Sequence, residues 1–266
     1  MATAQPIKIT SRIRLRDFDP CYHGGLDKET TEQETVKLCL RIGDLQQLLY
    51  ANASHSLTIL LQGMDTSGKD GAVKRVLEFV NPLGVEATSF KVPSAEEAAH
   101  DFLWRIHKAE PRLGNFGVFN RSQYEDVLVV RVLKLKPKAV WEARYDEINA
   151  FEKTLAENNH ILLKFFLHIS KDEQARRLKA RLRDPAKNWK IDPEDFRMRR
   201  HWNEFQKAYA DAINRCTTSY APWHIVPANH KWYRNYVIAQ TVVHAIERLK
   251  MKWPKPKVDV SKIKPG

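Results

Sequence analysis

The sequence predicts an α/β fold in which a mostly parallel, five-stranded sheet is covered on both faces by helices. Three observations carry this. Short apolar, β-branched runs alternate along the chain with longer segments of helical period. A Gly-x4-Gly-Lys pattern lies directly between the best of those runs and a helical segment. The 266 residues, 43% of them hydrophobic and 10% aromatic, suffice for one such domain with a buried core.

The elements follow in order. Segment 36–49 carries apolar residues three and four apart and reads as an amphipathic helix before the first strand. Run 56–61, Ser-Leu-Thr-Ile-Leu-Leu, is bounded by a polar stretch and Gly63, as a buried parallel strand should be. A helix is expected from Lys69. Further strands are predicted at 86–90, 116–119 and 161–169, with a weaker fifth at 223–226. Ser94 with Glu97, and Ser170 with Glu173, have the spacing of a capping box and mark helix starts after the second and fourth strands. Helical patterns at 140–155, 194–215 and 231–249 complete the series. With no internal repeat and no Gly/Ser linker, one domain over 1–266 is expected. Its parts are an N-terminal arm and helix (1–54), a lid region (171–200) and a basic tail (252–266).

Composition excludes several classes. The densest apolar stretch, 161–169, is interrupted by Lys164 and His168 and is far too short to span a bilayer, so no membrane partner is expected. The first residues carry no charged region followed by an apolar one, which makes the cytoplasm the expected location. Cys21, Cys39 and Cys216 are odd in number and far apart, so they read as thiols rather than a disulfide framework. The ten histidines include no His-Glu-x-x-His, so a catalytic metal should be held by oxygen. Lys and Arg outnumber Asp and Glu by 44 to 32, giving a net charge of +12, and mean hydropathy is −0.51. Half of that excess lies at 164–200, with twelve cations against six anions, and +5 more lies at 247–266. Such charge suits polyanions, but a tail of this composition also serves solubility alone.

The sequence Gly63-Met64-Asp65-Thr66-Ser67-Gly68-Lys69-Asp70-Gly71 places a glycine-rich turn between strand and helix, where backbone N–H groups and a helix N-terminus hold phosphate. Gly63, Thr66, Ser67, Gly68 and Gly71 are the expected phosphate-binding positions, and Lys69 neutralises a terminal phosphate oxygen. Two carboxylates, Asp65 and Asp70, in a loop built for anions require a hard cation between them and the phosphate, which implies magnesium, with manganese able to replace it. A second polar cluster, Asn120-Arg121-Ser122-Gln123-Tyr124-Glu125-Asp126, follows the strand at 116–119. Asn120 stands where a second strand often delivers a carboxylate to the metal, so the charge must come from Asp65, Asp70 or Glu125. Tyr124 reads as packing.

Gly-x-Asp-x-x-Gly-Lys-Asp (63–70), Phe-Asn-Arg-Ser-x-Tyr-Glu-Asp-Val (119–127), Phe-Leu-His-Ile-Ser (166–170) and Ala-Pro-Trp (221–223) together resemble the polyphosphate kinase 2 family. The resemblance covers nearly the whole chain. It implies a fold similar to thymidylate kinase, a P-loop kinase with a five-stranded parallel sheet and a helical lid. It also implies reversible, magnesium-dependent phosphoryl transfer between inorganic polyphosphate and a nucleotide. Asn120 with Glu125 resembles the subgroup that accepts both monophosphates and diphosphates, here AMP, GMP, ADP and GDP; many members carry Asp at the position of Asn120. Carried onto matching positions, the family's roles make Asp65, Lys69, Asp70, Arg121 and Arg181 catalytic, with Asn120 and Glu125 near the acceptor phosphate. Asp195 joins Asp65 and Asp70 as a metal partner. Arg131 is a further phosphate-binding candidate that also reads as a plain helix-face charge. A homo-oligomer is expected.

Arg176, Arg177, Lys179, Arg181 and Arg183, then a Pro-containing loop, then Arg197, Arg199 and Arg200 suit a lid that brings cations to substrate and excludes water. The same run also makes a solvated helix face. Trp189 in that loop either stacks on a base or anchors the loop. Two rivals remain. An ATP-dependent nucleoside monophosphate kinase shares fold and loop, though Asp70 in place of Ser/Thr disfavours it. A nucleic-acid-binding protein would use the net charge, but no nucleic-acid motif accompanies it.

Overall fold

The structure, a computed structural model of the chain, describes residues 12–258 and Ile263. Residues 1–11, 259–262 and 264–266, and with them part of the expected arm and of the basic tail, lie outside the described residues. Five strands, β1 (Ser56–Gln62), β2 (Val85–Ser89), β3 (Phe116–Asn120), β4 (His160–His168) and β5 (Trp223–Pro227), form one sheet in the order β2-β3-β1-β4-β5. Every neighbouring pair is parallel. Strand β1 is central and buried at all seven positions, which is why its sequence is a continuous apolar run rather than an alternation.

The helices are α1 (Lys28–Asn52), α2 (Lys69–Val76), α3 (Ala95–Ala98), α4 (Trp104–Ala109), α5 (Glu125–Val132), α6 (Lys138–Glu157), α7 (Lys171–Arg183), α8 (Pro193–Arg200), α9 (Trp202–Cys216) and α10 (Lys231–Glu247). Helices α1, α2 and α10 pack on one another, and α5, α6 and α9 form a second group. No helix among the described residues is long and apolar enough to cross a membrane. From β1 the chain crosses by way of α2 to β2, two places away, so the sheet order reverses around β1. Crevices at the carboxyl ends of strands form at such points.

Several boundaries differ from the sequence expectation for identifiable reasons. Helix α1 starts eight residues early, at Lys28, capped by Asp27, whose side chain accepts a hydrogen bond from Thr30 N, because its first two turns are polar and carry no apolar period. The pattern at 194–215 is two helices. Helix α8 buries no residue, whereas Trp202, Phe205, Tyr209 and Ile213 face the core, and the chain changes direction at His201 between them. Ser94 forms both bonds of its capping box, yet the helix it caps is four residues long. Ser170 caps α7 in one direction only, since Glu173 turns its carboxylate to Arg176 and Arg177.

Lys164, an interruption in an apolar run, proves to be a core residue. Its Nζ lies 2.5 Å from Glu152 Oε2 and also donates to Tyr124 Oη and the Cys216 carbonyl, at 2.9 and 2.7 Å. Pair and partners are fully buried, so removing one member would strand the other at a cost of about 3–5 kcal/mol. Glu110 is less well served. Thr58 Oγ1 donates to its Oε2 at 3.0 Å, but the covered Oε1 has no partner among the described residues. Burial, reinforced by the like charge of Glu152, pushes its carboxyl up to about 7. The folded chain therefore retains a proton that the unfolded chain has already released, so stability should fall as pH rises from the ordinary glutamate range towards pH 7. Thermal unfolding of Glu110→Gln across this window should show a flatter pH dependence than the wild type; parallel curves would contradict the assignment.

Candidate active site

The loop after β1 folds as its glycines require. Gly68 has φ +99°, and a Cβ there would come 2.0 Å from Arg234 Nη1; Thr66 takes φ +62°. Gly68 caps α2, so the helix N-terminus opens into the turn. Three consecutive carbonyls of the loop are drawn outwards by α7. Gln174 Nε2 donates to Asp65 O at 3.0 Å, and Arg177 Nη1 donates to Thr66 O and Ser67 O, both at 2.9 Å. The Ser67 N–H closes the turn on Met64 O at 3.0 Å, and with these carbonyls bonded to α7 the N-terminal end of α2 faces an anion. Arg177 also binds the Ala228 and Asn229 carbonyls at 2.6 and 3.1 Å, tying the loop to the end of β5. It is a buried staple and no free lid cation.

Lys69 is buried, and its Nζ donates 2.9 Å to Gly63 O. Burial, and next the charge of Arg121, hold its pKa below the ordinary lysine value, with Asp65, Glu125 and Asp70 opposing. Thr66 Oγ1 and Ser67 Oγ are buried without partners among the described residues, as befits polar atoms lining a loop built for a polar ligand.

Strand β3 runs beside β1, with Asn120 paired to Leu61, so its polar end meets the loop. Arg121 takes φ +67°, its N–H bonding back to Leu61 O at 3.0 Å. That turn points the guanidinium between two carboxylates, 2.7 Å from Asp65 Oδ1 and 3.2 Å from Glu125 Oε2. Glu125 foremost raises its pKa further, burial opposes, and Asp65 adds to the rise. Tyr209 on α9 is buried against the same charges. Asn120 Nδ2 donates to Asp70 Oδ1 at 2.7 Å, and Lys190 approaches Asp70 Oδ2 at 3.3 Å. Burial pushes the Asp70 carboxyl up, but the bonds from Lys190 and Asn120 outweigh it and hold it below the ordinary value.

In the expected lid, Arg181 Nη1 binds Asp195 Oδ2 at 2.8 Å and the Lys190 carbonyl at 2.9 Å. Burial, and then the charge of Asp65, push Asp195 up to about 6, with Arg181 pulling the other way. The structure thus brings together Asp65, Lys69, Asp70, Asn120, Arg121 and Glu125, with Arg181 and Asp195 at the lid side. Arg131 stands apart: it pairs with Asp211 at 2.8 Å on α9 and lies over the Trp141 ring. Tyr124 packs as expected, buried against Trp223 with its hydroxyl on Glu152. Trp189 is exposed, its Nε1 bonded to the Ala186 carbonyl.

Each carboxylate at the site already carries a cation or amide partner, and no group of three His, Cys, Asp or Glu among the described residues forms a ready metal cage. Asp65, Asp70 and Asp195 are therefore not assembled as a coordinating trio. Two hard carboxylates beside a phosphate loop nevertheless fit a magnesium-type ion, which takes one or two carboxylates and completes its shell with water and substrate phosphate.

A phosphate loop between a central parallel strand and its helix, faced by an arginine held between two carboxylates at the end of the next strand, defines a P-loop phosphotransferase. Comparison with known proteins narrows the class. The family model described as polyphosphate kinase 2 matches residues 25–254. The chain is 46% identical over 256 residues to a Meiothermus ruber protein named AMP/ADP-polyphosphate phosphotransferase, covering 95% of each. It is 42% identical to an ADP-polyphosphate phosphotransferase of Rhodopseudomonas palustris, covering 80% of this chain and 78% of that one. The crystal structure of polyphosphate kinase 2 from Arthrobacter aurescens superimposes with a TM-score of 0.94 at 40% identity, covering 98% of this chain and 96% of the other. The chain belongs to the polyphosphate kinase 2 family.

Proposed function

We propose that this protein transfers phosphoryl groups reversibly between inorganic polyphosphate and nucleotides, accepting both AMP or GMP and ADP or GDP. The observation that carries this reading is the Lys69–Asp65–Arg121–Glu125 cluster at the carboxyl ends of β1 and β3, in a chain so similar to a relative named for both AMP and ADP. The loop N–H groups and Lys69 hold the terminal phosphates of the donor. Arg121, fixed between Asp65 and Glu125, is aimed at the equatorial oxygens where charge spreads in the transition state. The acceptor's terminal phosphate oxygen attacks in line: its bond to phosphorus forms as the bond to the chain's bridging oxygen breaks, and the shortened polyphosphate leaves as an anion. The acceptor is already an anion, so no activated Ser, Cys or His is needed. Asp65 and Asp70 would hold a divalent cation, magnesium by the hardness of the ligands, which supplies further neutralisation of phosphate charge. Arg181 and Lys190 reach the site from the lid segment, and Arg181 keeps Asp195 engaged.

A donor swap tests the reading. With AMP as acceptor, polyphosphate should support ADP and ATP formation, and ATP in place of polyphosphate should not serve as the preferred donor. Faster transfer from ATP would favour an ordinary monophosphate kinase instead.

Asn120 bears on acceptor choice. Its amide donates to Asp70, and an aspartate there would set carboxylate against carboxylate unless a cation bridges them. Asn120→Asp should remain active with magnesium but change the ratio of AMP to ADP turnover. Identical ratios in variant and wild type would count against a role near the acceptor.

A further inference from the structure

A second basic feature lies away from the phosphate loop. Before α1, the chain at 12–16 alternates: Ile13 and Leu15 are buried, while Arg12, Arg14 and Arg16 are exposed. The chain is extended as far as Arg14 and then makes one 3-10 turn, Leu15–Asp17, which keeps Leu15 in the core and leaves Arg16 outside, so that all three arginines line the same cleft. Asn214 of α9 pins the segment, accepting from Ile13 N at 2.8 Å and donating to Ile13 O at 3.0 Å. Between this segment, the outer face of α9 and the start of α7 lies a cleft of about 1070 Å³. Arg12, Arg14, Arg16, Arg131, Lys171 and Lys207 line it, against only two acids, Asp17 and Asp211.

Those acids are already engaged. Asp17 pairs with Arg14 at 3.1 Å, and Asp211 pairs with Arg131 at 2.8 Å and touches Arg12 at 4.0 Å. Arg16, Lys171 and Lys207 make no ion pair within 4.0 Å among the described residues. The cleft follows α9 from Asn203 to Asn214, a length of about 17 Å at 1.5 Å per residue. At one end it reaches the start of α7 at Ser170 and Lys171. Lys171 opens the helix whose Gln174 and Arg177 hold the phosphate loop, and Arg199 bonds both the Lys171 carbonyl and Gln174 Oε1, at 2.7 and 2.8 Å.

We propose that this cleft binds the distal part of a long polyphosphate chain whose end is held at the phosphate loop. The inference rests on the polyphosphate reading above. Cations spread along a cleft cannot all reach a compact anion, but a linear polyanion meets them in succession and releases counterions at each. Occupying such an extension turns the second contact into an intramolecular one, so long chains bind more tightly than short ones with no change at the reacting phosphate. Nucleic acid shares the charge but not the end that enters the phosphate loop, so it should compete weakly.

The test is a triple charge reversal, Arg16→Glu with Lys171→Glu and Lys207→Glu, assayed with long-chain polyphosphate and with tripolyphosphate. The half-saturating concentration of the long chain should rise roughly tenfold or more and its salt dependence should become shallower. The values for tripolyphosphate, and kcat with either donor, should stay near wild type, which also certifies folding. Should the triple variant fail to fold, Lys171→Gln with Lys207→Gln gives the same comparison with a smaller shift. An equal loss for both donors, or no change for either, would overturn the proposal. So would displacement of long polyphosphate by single-stranded DNA at equal concentration. A wild-type enzyme that uses polyphosphate of no length would overturn the functional reading itself, and this inference with it.

Discussion

Lys69→Ala is expected to lower polyphosphate-dependent ATP formation by roughly 100- to 1000-fold or more, the scale on which losing one preorganised charge or donor acts at a transition state. Lys69 is the buried cation of the loop, held by Gly63 O and drawn on by three nearby carboxylates. Removing it leaves the loop carbonyls still bonded to Gln174 and Arg177, so the loop keeps its shape. The loss should therefore fall on turnover, with the thermal unfolding midpoint little changed. Steady-state kinetics beside a melting curve checks both; a variant with wild-type kcat would remove Lys69 from the chemistry.

Arg121→Lys is the second large effect. A lysine keeps the charge but cannot bridge Asp65 at 2.7 Å and Glu125 at 3.2 Å with two nitrogens of one rigid plane. It must also adopt φ +67°, which the backbone bond to Leu61 O already imposes on the arginine. Turnover should drop by roughly 100-fold with a smaller change in KM for nucleotide, because the fork is aimed at charge that develops only in transfer. A rise in KM at unchanged kcat would show instead that Arg121 serves ground-state binding alone.

What the sequence reveals of the fold and site depends on the range of each interaction. The strands at 56–61, 116–119, 161–169 and 223–226 were legible because a buried parallel strand writes itself locally, as an apolar run between turn residues. The phosphate loop was legible for a similar reason: its glycines, Lys69 and Asp70 are contiguous. Helix α5 has no counterpart among the expected elements, because it begins inside the polar motif at Glu125 and lasts only eight residues. Arg177 belonged by sequence to a run of lid cations, and only contacts with residues some 110 positions earlier make it the staple of the phosphate loop. Likewise Arg131 shares a helix with Glu125 yet points to Asp211, since α5 carries it away from the carboxyl edge of the sheet. The arginines at 12–16 carried no motif, and their cleft exists only because Asn214 pins that segment to α9.

Phosphoryl groups should pass directly from polyphosphate to a nucleotide at this loop. This transfer is tested most directly by following ATP formation from AMP and from ADP, with polyphosphate and magnesium as the only other reactants, in wild type and Lys69→Ala side by side. ATP should form from both acceptors in the wild type and be almost wholly lost in the variant. No product from either acceptor in the wild type, or equal product in both proteins, would contradict direct transfer at this loop.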